Sequence, residues 1–511
     1  MKTMIKNFLI LLIFFSIAAP SFAATYYVSA NGNDRNPGTE RSPWKRCPGM
    51  GGWSGSTKLK AGDTVYFNSS DTWALSGGSY GFWVTGGVTY IGDTWGNGKR
   101  AKFDVKSKYS ANGGVLIGED HPTIETEFKG FEVDCNMTES RGIQINYGSR
   151  RGWKTVGAVK RVKNCHVHHT GRASPTYGII VSTTVDSTTK NIEIIDCTVH
   201  DVAHNAIALY AGYNSDNANI YNVLIRGCET YGTGLRSSYT GYGIQIKNHV
   251  ENVIVENNKL NRNEGGGVKI YREYSRALPI KNVVVRYNEI AYNNRSGIYV
   301  YNGPSSDIYI YGNLIYKNGK SGIKFTGLKS GPFSYHIFNN TFYSNVPNGI
   351  EINGTRNNFS ALEMRNNIFS SASNTICLSD YKNAITAHSN NLFHYDGNSG
   401  NILKIAGKSY RASDINKWES SAEIVHAPSH PVCTNVSKGD YSLAEGSPAI
   451  GKGADLSSTF KEGLNSKSSW PRNVKKSKWS PGKWDIGAYV YGESSPVVNL
   501  LPPGNIRILS N

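Results

Sequence analysis

A short alternating pattern of apolar and variable positions recurs eight times in the middle of the chain. Each copy reads Gly or Ala, an aliphatic residue, any residue, then an aliphatic residue or Phe, and successive copies begin 24 to 37 residues apart. Alternation within a copy predicts a strand with one buried face. A repeat of this length predicts a solenoid. The copies begin at Gly142, Gly178, Ala206, Gly243, Gly267, Gly297, Gly322 and Gly349.

A second repeat lies between these copies, at a turn position that follows one aliphatic run and precedes another. Three short strands and about 30 residues per turn are typical of a parallel β-helix. Asn at such a turn can bond the Asn above and below it, and Cys there packs as a small apolar residue. The position is occupied by Cys135, Cys165, Cys197, Cys228, Asn258, Asn288, Asn313, Asn340, Asn367 and Asn391.

The cysteines sort into two groups. The four cysteines of the turn position recur at intervals of 30, 32 and 31 residues, which predicts free, buried and stacked thiols. Cys47, Cys377 and Cys433 remain, so we expect at most one disulfide and leave its pairing open.

The N-terminus indicates a secreted protein. Lys2 and Lys6 precede an apolar run and a small-residue cleavage site at Ala23, which is typical of a secretory signal. Removal of the signal lowers the formal net charge from +17 to about +15. We expect an extracellular or periplasmic monomer without a membrane span. A basic secreted protein favours an acidic partner, here an anionic polysaccharide rather than nucleic acid; a basic surface without a partner is the alternative.

The residues between the inward aliphatic positions point outward and form columns along one face of the solenoid. One column is Gln144, Ile180, Ala208, Gln245, Lys269, Tyr299, Lys324 and Glu351, and the next is Asn146, Ser182, Tyr210, Lys247, Tyr271, Tyr301, Thr326 and Asn353. Cations beside Tyr rings suit a charged sugar chain, because cations pair with carboxylates and rings stack on sugar faces. A Tyr ladder that only stabilises the sheet is the alternative.

Both ends of the solenoid carry further motifs, at residues 25–34, 61–67, 446–450 and 484–489. With the repeats, they make the chain resemble the secreted right-handed parallel β-helix proteins of the pectate-lyase-like superfamily, over roughly residues 25–400. The resemblance implies an all-β chain with one right-handed parallel β-helix, N- and C-terminal caps, and a cleft on one sheet. The expected division is signal peptide 1–23, N-terminal cap and first coils 24–130, regular repeats 131–400, trailing coils and C-terminal cap 401–490, and tail 491–511.

Lyases of this superfamily cleave uronic-acid polymers by β-elimination, which needs a neutralised carboxylate, a base and an acid. We expect Lys247 to be the base, since repulsion from Lys269 and Arg272 would lower its pKa. Arg272 would hold the carboxylate, and Tyr271 or Tyr301 would protonate the leaving oxygen. The expected substrate-binding residues are Lys269, Tyr299, Lys324, Gln245, Tyr210 and His204.

Residues 247–253, with Arg272 one coil later, are similar to the Lys and Arg pair of the alginate and chondroitin B lyase family. That family places two Glu before its Lys as calcium ligands, and Thr240 and Tyr242 stand in those positions here. Ca²⁺ therefore stays open as a cofactor, and no residue is assigned as a metal ligand.

Other functional hypotheses for the same face remain open. If Lys247 is not the base, His204 with Tyr210 is the alternative acid–base pair. A glycoside hydrolase is the weakest enzyme hypothesis, because it needs two acids and Glu351 is the only acid in the strand columns. A C5-epimerase shares the proton abstraction, and a non-catalytic glycan-binding or surface-layer protein needs none. The loops 232–242 and 150–154 would flank the face. His166, His168, His169 and His200 are expected to be stacked turn residues rather than a metal site.

Overall fold

The computed structural model describes residues 23–492 apart from fourteen short gaps. The gaps are 77–79, 109–112, 119–120, 148–156, 173–175, 184–186, 213–217, 236–240, 274–278, 302–304, 329–330, 372–375, 396–400 and 427–431. Residues 1–22 of the expected signal peptide, the loop 150–154, Thr240 and nearly all of the tail lie outside the described residues. Within the described ranges, no helix has the length and apolarity needed to span a bilayer.

Three sheets of 13 strands each form a parallel β-helix, and each regular coil passes through sheet 1, sheet 2 and sheet 3 in turn. Sheet 1 contains Thr25–Val28, Thr64–Asn68, Thr89–Trp95, Thr126–Lys129, Lys160–Lys163, Thr188–Ile195, Asn219–Arg226, Val250–Glu256, Ile280–Arg286, Ser305–Tyr311, Phe333–Phe338, Phe359–Arg365 and Ala387–Ser389. Sheet 2 contains Thr72–Leu75, Ala101–Val105, Phe131–Asp134, His166–His168, Thr198–Val202, Glu229–Thr233, Lys259–Asn261, Glu289–Ala291, Leu314–Tyr316, Thr341–Tyr343, Ile368–Ser371, Leu392–Tyr395 and Glu423–His426. Sheet 3 contains Phe82–Trp83, Val115–Ile117, Ile143–Tyr147, Ile179–Thr183, Ile207–Ala211, Tyr242–Lys247, Gly266–Tyr271, Ile298–Tyr301, Ile323–Thr326, Asn348–Ile352, Ile376–Asp380, Leu403–Ile405 and Lys408–Tyr410.

All eight copies of the repeated pattern fall on sheet 3, as predicted. The Gly that begins most copies lies where sheet 3 closely approaches sheet 2. A Cβ atom on Gly297 would lie 2.7 Å from the carbonyl oxygen of Gly322 and 2.9 Å from Cγ2 of Ile315. The small residue is therefore required by space, and the aliphatic residues that follow it fill the core.

The predicted ladder between sheets 1 and 2 is confirmed. The side-chain amide of Asn288 donates to Oδ1 of Asn313 at 3.0 Å, and the amide of Asn313 donates to Oδ1 of Asn340 at the same distance. All seven cysteines are buried and none of them forms a disulfide, so the expectation that Cys135, Cys165, Cys197 and Cys228 stay as thiols is confirmed. A second ladder between sheets 2 and 3, which we did not predict, joins Asn263, Asn293, Asn318 and Asn345.

The C-terminal region does more than close the solenoid. A short α-helix, Ile415–Trp418, buries Ile415 in the core at the end of the coils. The later segment runs back along the turns between sheets 1 and 2, where the Trp470 indole donates to the carbonyl of Tyr287 at 2.7 Å. Arg472 donates to the carbonyl of Asp196 at 2.7 Å.

The remaining regular elements lie in the C-terminal region, apart from one 3₁₀ helix among the regular coils. Two antiparallel strand pairs and two 3₁₀ helices belong to this later segment, and two further 3₁₀ helices precede it. The pairs are Cys433–Asn435 with Asp440–Leu443 and Glu462–Leu464 with Lys476–Lys478, and the 3₁₀ helices are Arg356–Asn358, Ala412–Asp414, Val436–Lys438 and Ser458–Phe460.

Candidate functional site

Sheet 3 places the predicted outward columns on one face. Lys269 lies opposite Gln245 on one side and Tyr299 on the other. Lys247 lies opposite Tyr210 and Tyr271. The prediction that Lys247, Lys269, Tyr299 and Lys324 share one continuous parallel sheet is therefore confirmed, and each side chain is partly exposed.

An open cleft of about 410 Å³ lies on this face, and we call it the sheet 3 cleft. Its described lining contains four cations, four tyrosines and a serine, and none of these described residues is acidic. Such a surface attracts anions and offers rings for stacking on sugars. The lining residues are Tyr242, Lys269, Tyr271, Arg295, Ser296, Tyr299, Tyr301, Lys320 and Lys324.

Lys269 lies in an unusual environment within the cleft. Its ammonium lies over two rings, 4.4 Å from the centroid of Tyr271 and 5.1 Å from that of Tyr242. Burial lowers the pKa of Lys269 to about 8, and the nearby positive charge of Lys247 acts in the same direction. Roughly a tenth of this side chain is therefore a neutral amine at pH 7, and about half of it at pH 8.

Lys247 lies one coil earlier in a different environment. Its Nζ is 2.7 Å from Oε2 of Glu273 and 4.2 Å from the ring centroid of Tyr210. The pKa of Lys247 is lowered, but the first cause is burial, and Glu273 opposes the shift. The lowered pKa of Lys247 was expected, but its cause is burial rather than the expected repulsion from Lys269 and Arg272.

Four tyrosines continue the face along the solenoid axis. The centroids of Tyr271 and Tyr301 are 5.5 Å apart, those of Tyr299 and Tyr301 are 6.0 Å apart, and those of Tyr242 and Tyr299 are 6.2 Å apart. Burial raises the pKa of Tyr299, so its phenol keeps its proton at neutral pH. The four tyrosine rings lie beside Lys269 in the cleft.

The structure does not bring all ten predicted site residues into the cleft. Gln245 is only 5% exposed, and its side-chain oxygen accepts a hydrogen bond from Asn205. Gln144, Ile180 and Ala208 in the same column are buried as well. The expectation that this whole column faces solvent is therefore wrong for the earlier coils.

Arg272, His204 and Tyr210 also differ from the expected arrangement. Arg272 is 8% exposed, and its backbone N–H donates to the carbonyl of Tyr301 at 3.3 Å. The imidazole of His204 lies against the ring of Tyr177, with centroids 5.1 Å apart. Tyr210 lies beneath the ammonium of Lys247. The roles predicted for these residues stay predictions.

Arg295 and Lys320 line the cleft and were missed from the sequence. Both stand two residues before a copy of the repeated pattern, in Arg295-Ser296-Gly297 and Lys320-Ser321-Gly322. The recurrence of a cation at this position was visible in the sequence. It did not identify an outward side chain, because turn residues do not alternate between buried and exposed positions as strand residues do. Glu273 was missed because it follows the strand that ends at Tyr271.

Glu351 is held at the far end of the face. Its two carboxylate oxygens accept hydrogen bonds of 2.8 Å from Lys324 Nζ and from the Ser321 hydroxyl. A carboxylate engaged in this way is poorly placed for the paired-acid chemistry of glycoside hydrolysis.

The predicted stack of His168 and His200 is confirmed, but the expectation that they are turn residues is wrong, because both lie on strands of sheet 2. Sheet 2 is not the sheet that carries the cleft. The rings of His168 and His200 are stacked with centroids 5.2 Å apart. Burial, followed by the neighbouring imidazoles, lowers the pKa of His166 to about 4. The imidazoles surround two carboxylates, Glu132 and Asp134.

Three parallel sheets wound into coils, with an open cleft on one of them, define the class of parallel β-helix proteins. Residues 95–392 match the family model described as the right handed beta helix region, and the chain belongs to this family. The match confirms the predicted fold class and its handedness. A search of curated protein sequences found no match.

Several solved structures are similar to this chain in fold. Pectate lyase Pel9A is 13% identical, with a TM-score of 0.45, over 92% of this chain and 96% of that one. The A-module of the mannuronan C-5 epimerase AlgE6 of Azotobacter vinelandii is 15% identical, with a TM-score of 0.36, over 72% of this chain and 91% of that one. A GH136 lacto-N-biosidase from Eubacterium ramulus is 13% identical, with a TM-score of 0.39, over 79% of this chain and 68% of that one. At these identities the likeness concerns the fold alone.

Proposed function

We propose that this chain is a secreted polysaccharide lyase that cleaves a uronic-acid-containing polysaccharide, alginate-like or pectin-like, by β-elimination. One observation carries the proposal. Lys269, with a pKa of about 8, lines a cleft together with Arg295, Lys320 and Lys324 and with four tyrosines. A base that is partly neutral near pH 7, cations for a carboxylate and phenolic acids are the groups that β-elimination requires.

The cations of the cleft act first on the substrate carboxylate. Arg295 and Lys320 stand at equivalent positions of adjacent repeats, so they can receive uronate carboxylates along one chain. Pairing a carboxylate with a cation stabilises the charge that builds up when the C5 proton leaves. Arg295 and Lys320 line the cleft, whereas Arg272 is buried, so we assign the carboxylate to them first.

Proton transfer then follows from the positions of Lys269 and the tyrosines. The neutral amine of Lys269 takes the C5 proton and becomes an ammonium. The bond between C4 and the glycosidic oxygen breaks, a C4–C5 double bond forms, and Tyr301 or Tyr271 gives its proton to the leaving oxygen. Solvent returns both groups to their starting protonation states, so the atoms and charges balance over one turnover.

Lys247 has a supporting role in this scheme. Its positive charge helps to keep the pKa of Lys269 low, while Glu273 holds its ammonium in place. The sequence-based assignment of Lys247 as the base is the competing version of the same reaction. The two versions differ in how the rate responds to pH.

We expect kcat/KM to rise with pH and to level off above about 8, because only the neutral amine of Lys269 can accept a proton. Lys247→Ala removes a positive charge and releases Glu273, and both changes raise the pKa of Lys269. The rising limb of the Lys247→Ala profile should therefore move to higher pH while the plateau survives. A profile in which Lys247→Ala is inactive at every pH would instead assign the base to Lys247.

The reaction class is tested by incubating the protein with alginate, pectin and glycosaminoglycans. A lyase produces ultraviolet absorbance from unsaturated uronates, and we expect that absorbance with at least one polymer. Reducing ends without absorbance identify a hydrolase, and C5 solvent-hydrogen exchange without chain cleavage identifies an epimerase. Binding without product identifies a glycan-binding protein. Parallel incubations with a chelator and with added Ca²⁺ determine the calcium requirement.

Charge attraction should make binding to the polymer depend on salt, since exposed ion pairs are screened at high ionic strength. Binding is therefore measured at low and at moderate salt. If no uronate polymer is bound or cleaved even at low salt, the anionic-polysaccharide proposal is wrong.

A further inference from the structure

A cluster of imidazoles and carboxylates lies on sheet 2, on a different sheet from the cleft. Ligand atoms of Glu132, His166 and His168 all lie within 4.8 Å of one another. Nε2 of His168 is 3.4 Å from Oε1 of Glu132. Nε2 of His166 is 2.7 Å from Nε2 of His200.

The stacking of the coils brings these groups together. Glu132, His166 and His200 belong to three successive strands of sheet 2, and the pairing aligns His166 with Glu132 and His168 with His200. Side chains that are more than thirty positions apart in sequence therefore meet in one cluster. The proposed lyase reaction uses no member of this cluster.

Neighbouring groups orient two of the imidazoles. Oδ2 of Asp201 lies 2.7 Å from Nδ1 of His200, which leaves Nε2 of His200 directed toward His166. Nδ1 of His168 lies 2.8 Å from Nδ1 of His169 and 3.7 Å from Oδ1 of Asp134. A carboxylate or imidazole on the far nitrogen of a ring is how protein metal sites fix their histidine ligands.

We propose that Glu132, His166 and His168, with His200 as the fourth ligand, bind a divalent transition metal ion. Imidazole nitrogens favour Zn²⁺, Cu²⁺ and Ni²⁺, whereas Ca²⁺ and Mg²⁺ prefer oxygen ligands alone. Three imidazoles and one carboxylate match the ligand types and number of tetrahedral zinc.

Two measured separations can be compared with the geometry of tetrahedral zinc. Zinc–nitrogen bonds of about 2.0–2.1 Å in a tetrahedron place neighbouring ligand atoms about 3.3 Å apart. The separation of 3.4 Å between His168 and Glu132 already meets that requirement. His200 lies outside the set of ligand atoms within 4.8 Å of one another, so its imidazole has to move toward Glu132 and His168 to become the fourth ligand. Its Nε2 also has to separate from Nε2 of His166 by roughly half an ångström.

Lys102 competes with a metal ion for this site. Its Nζ lies 3.2 Å from Oε1 of Glu132 and 2.9 Å from Oδ2 of Asp134. The Lys102 side chain is 31% exposed, so its ammonium can move toward solvent and keep Asp134 when an ion takes Glu132. The lysine therefore sets the affinity without blocking the site.

A bound ion would cross-link three successive coils. The cross-link joins residues that the chain otherwise connects only through two whole turns of the solenoid. The ion should raise the thermal stability of the protein, because it binds the folded state and finds no assembled site in the unfolded chain.

The test is titration of metal-free, untagged protein with Zn²⁺ by calorimetry, together with thermal unfolding. We expect one site for Zn²⁺ per chain, a raised melting temperature, and no saturable binding of Ca²⁺ by this cluster. His166→Ala and His200→Ala should each weaken Zn²⁺ binding more than about tenfold, and Asp201→Asn, which frees His200 to rotate, about tenfold. Visible absorption of the Co²⁺-loaded protein reports whether coordination is tetrahedral.

His426→Ala is the matched control. His426 is exposed on the same sheet, stacked on Tyr395 at 4.4 Å and outside the cluster, so its removal should leave Zn²⁺ affinity unchanged. Lys102→Met removes the competing ammonium and should tighten Zn²⁺ binding several-fold, an effect that a damaged fold does not mimic. Equal Zn²⁺ affinity in wild type, His166→Ala and Lys102→Met would overturn the proposal.

Discussion

The Lys269→Ala protein is expected to bind its polysaccharide and to turn it over at least about 100-fold more slowly than the wild type. The reason is that the variant lacks the amine that takes the C5 proton, while Arg295, Lys320 and the tyrosines of the cleft remain. The fold should survive, because Lys269 is a partly exposed side chain whose charged form is disfavoured by its surroundings. The turnover rate is measured as the initial increase in ultraviolet absorbance, and the affinity is measured as binding to the intact polymer.

A pair of Lys-to-Arg variants supplies the sharpest control. Arg keeps a positive charge at every accessible pH and cannot act as a base. Lys269→Arg should therefore be as inactive as Lys269→Ala. Lys247→Arg keeps a cation beside Glu273 and over the Tyr210 ring, so it should retain most of the activity. Loss of activity in Lys247→Arg, with Lys269→Arg still active, would make Lys247 the base.

The Asn313→Ala protein is expected to lose at least about 3 kcal/mol of stability, because several buried hydrogen bonds lose a partner at once. Oδ1 of Asn313 accepts from the backbone N–H and from the side-chain amide of Asn288, both at 3.0 Å. Its own amide donates to the carbonyl of Val285 at 2.8 Å and to Asn340 at 3.0 Å. Water cannot replace these bonds in the closed interior of the solenoid.

Cys197→Ala is the matched control at the equivalent position of an earlier coil. The Cys197 thiol makes weak contacts, 3.3 Å from the carbonyl of Ile195 and 3.6 Å from that of Val162. Its removal should cost about 1 kcal/mol, the value for losing one small buried group. Urea midpoints and protection from proteolysis compare the two variants. Equal losses of stability in the two variants would show that the hydrogen bonds of the asparagine ladder add nothing beyond packing.

The sequence alone determined the architecture and the direction of most side chains. A strand has a period of two, so the alternation in each copy decides which residues face the core. Because the copies recur at coil length, the same positions stack, and Lys269 and Tyr299 could be placed side by side from their spacing. The ladder of Cys and Asn followed from the same repeat. Local pattern was sufficient there, because each coil contacts mainly its two neighbours.

Only the tertiary structure decided which outward residues form a site. Gln245 and Arg272 occupy predicted outward or flanking positions and are nevertheless buried. For Gln245 the reason is Asn205, from the preceding repeat, which donates to its side-chain oxygen. Glu273 reaches Lys247 from the end of the next strand. The pKa of each lysine depends on burial and on charges from neighbouring coils.

The histidine cluster and the C-terminal segment also contain contacts that the repeat pattern of the sequence did not predict. The spacing suggested that His168 and His200 stack, but it did not show that Glu132 and Asp201 complete the patch. The contact between Trp470 and Tyr287 joins parts of the chain without any shared repeat. Periodicity fixes which residues lie near each other from coil to coil, whereas the turns and the returning segment decide burial and charge, because their paths follow no period.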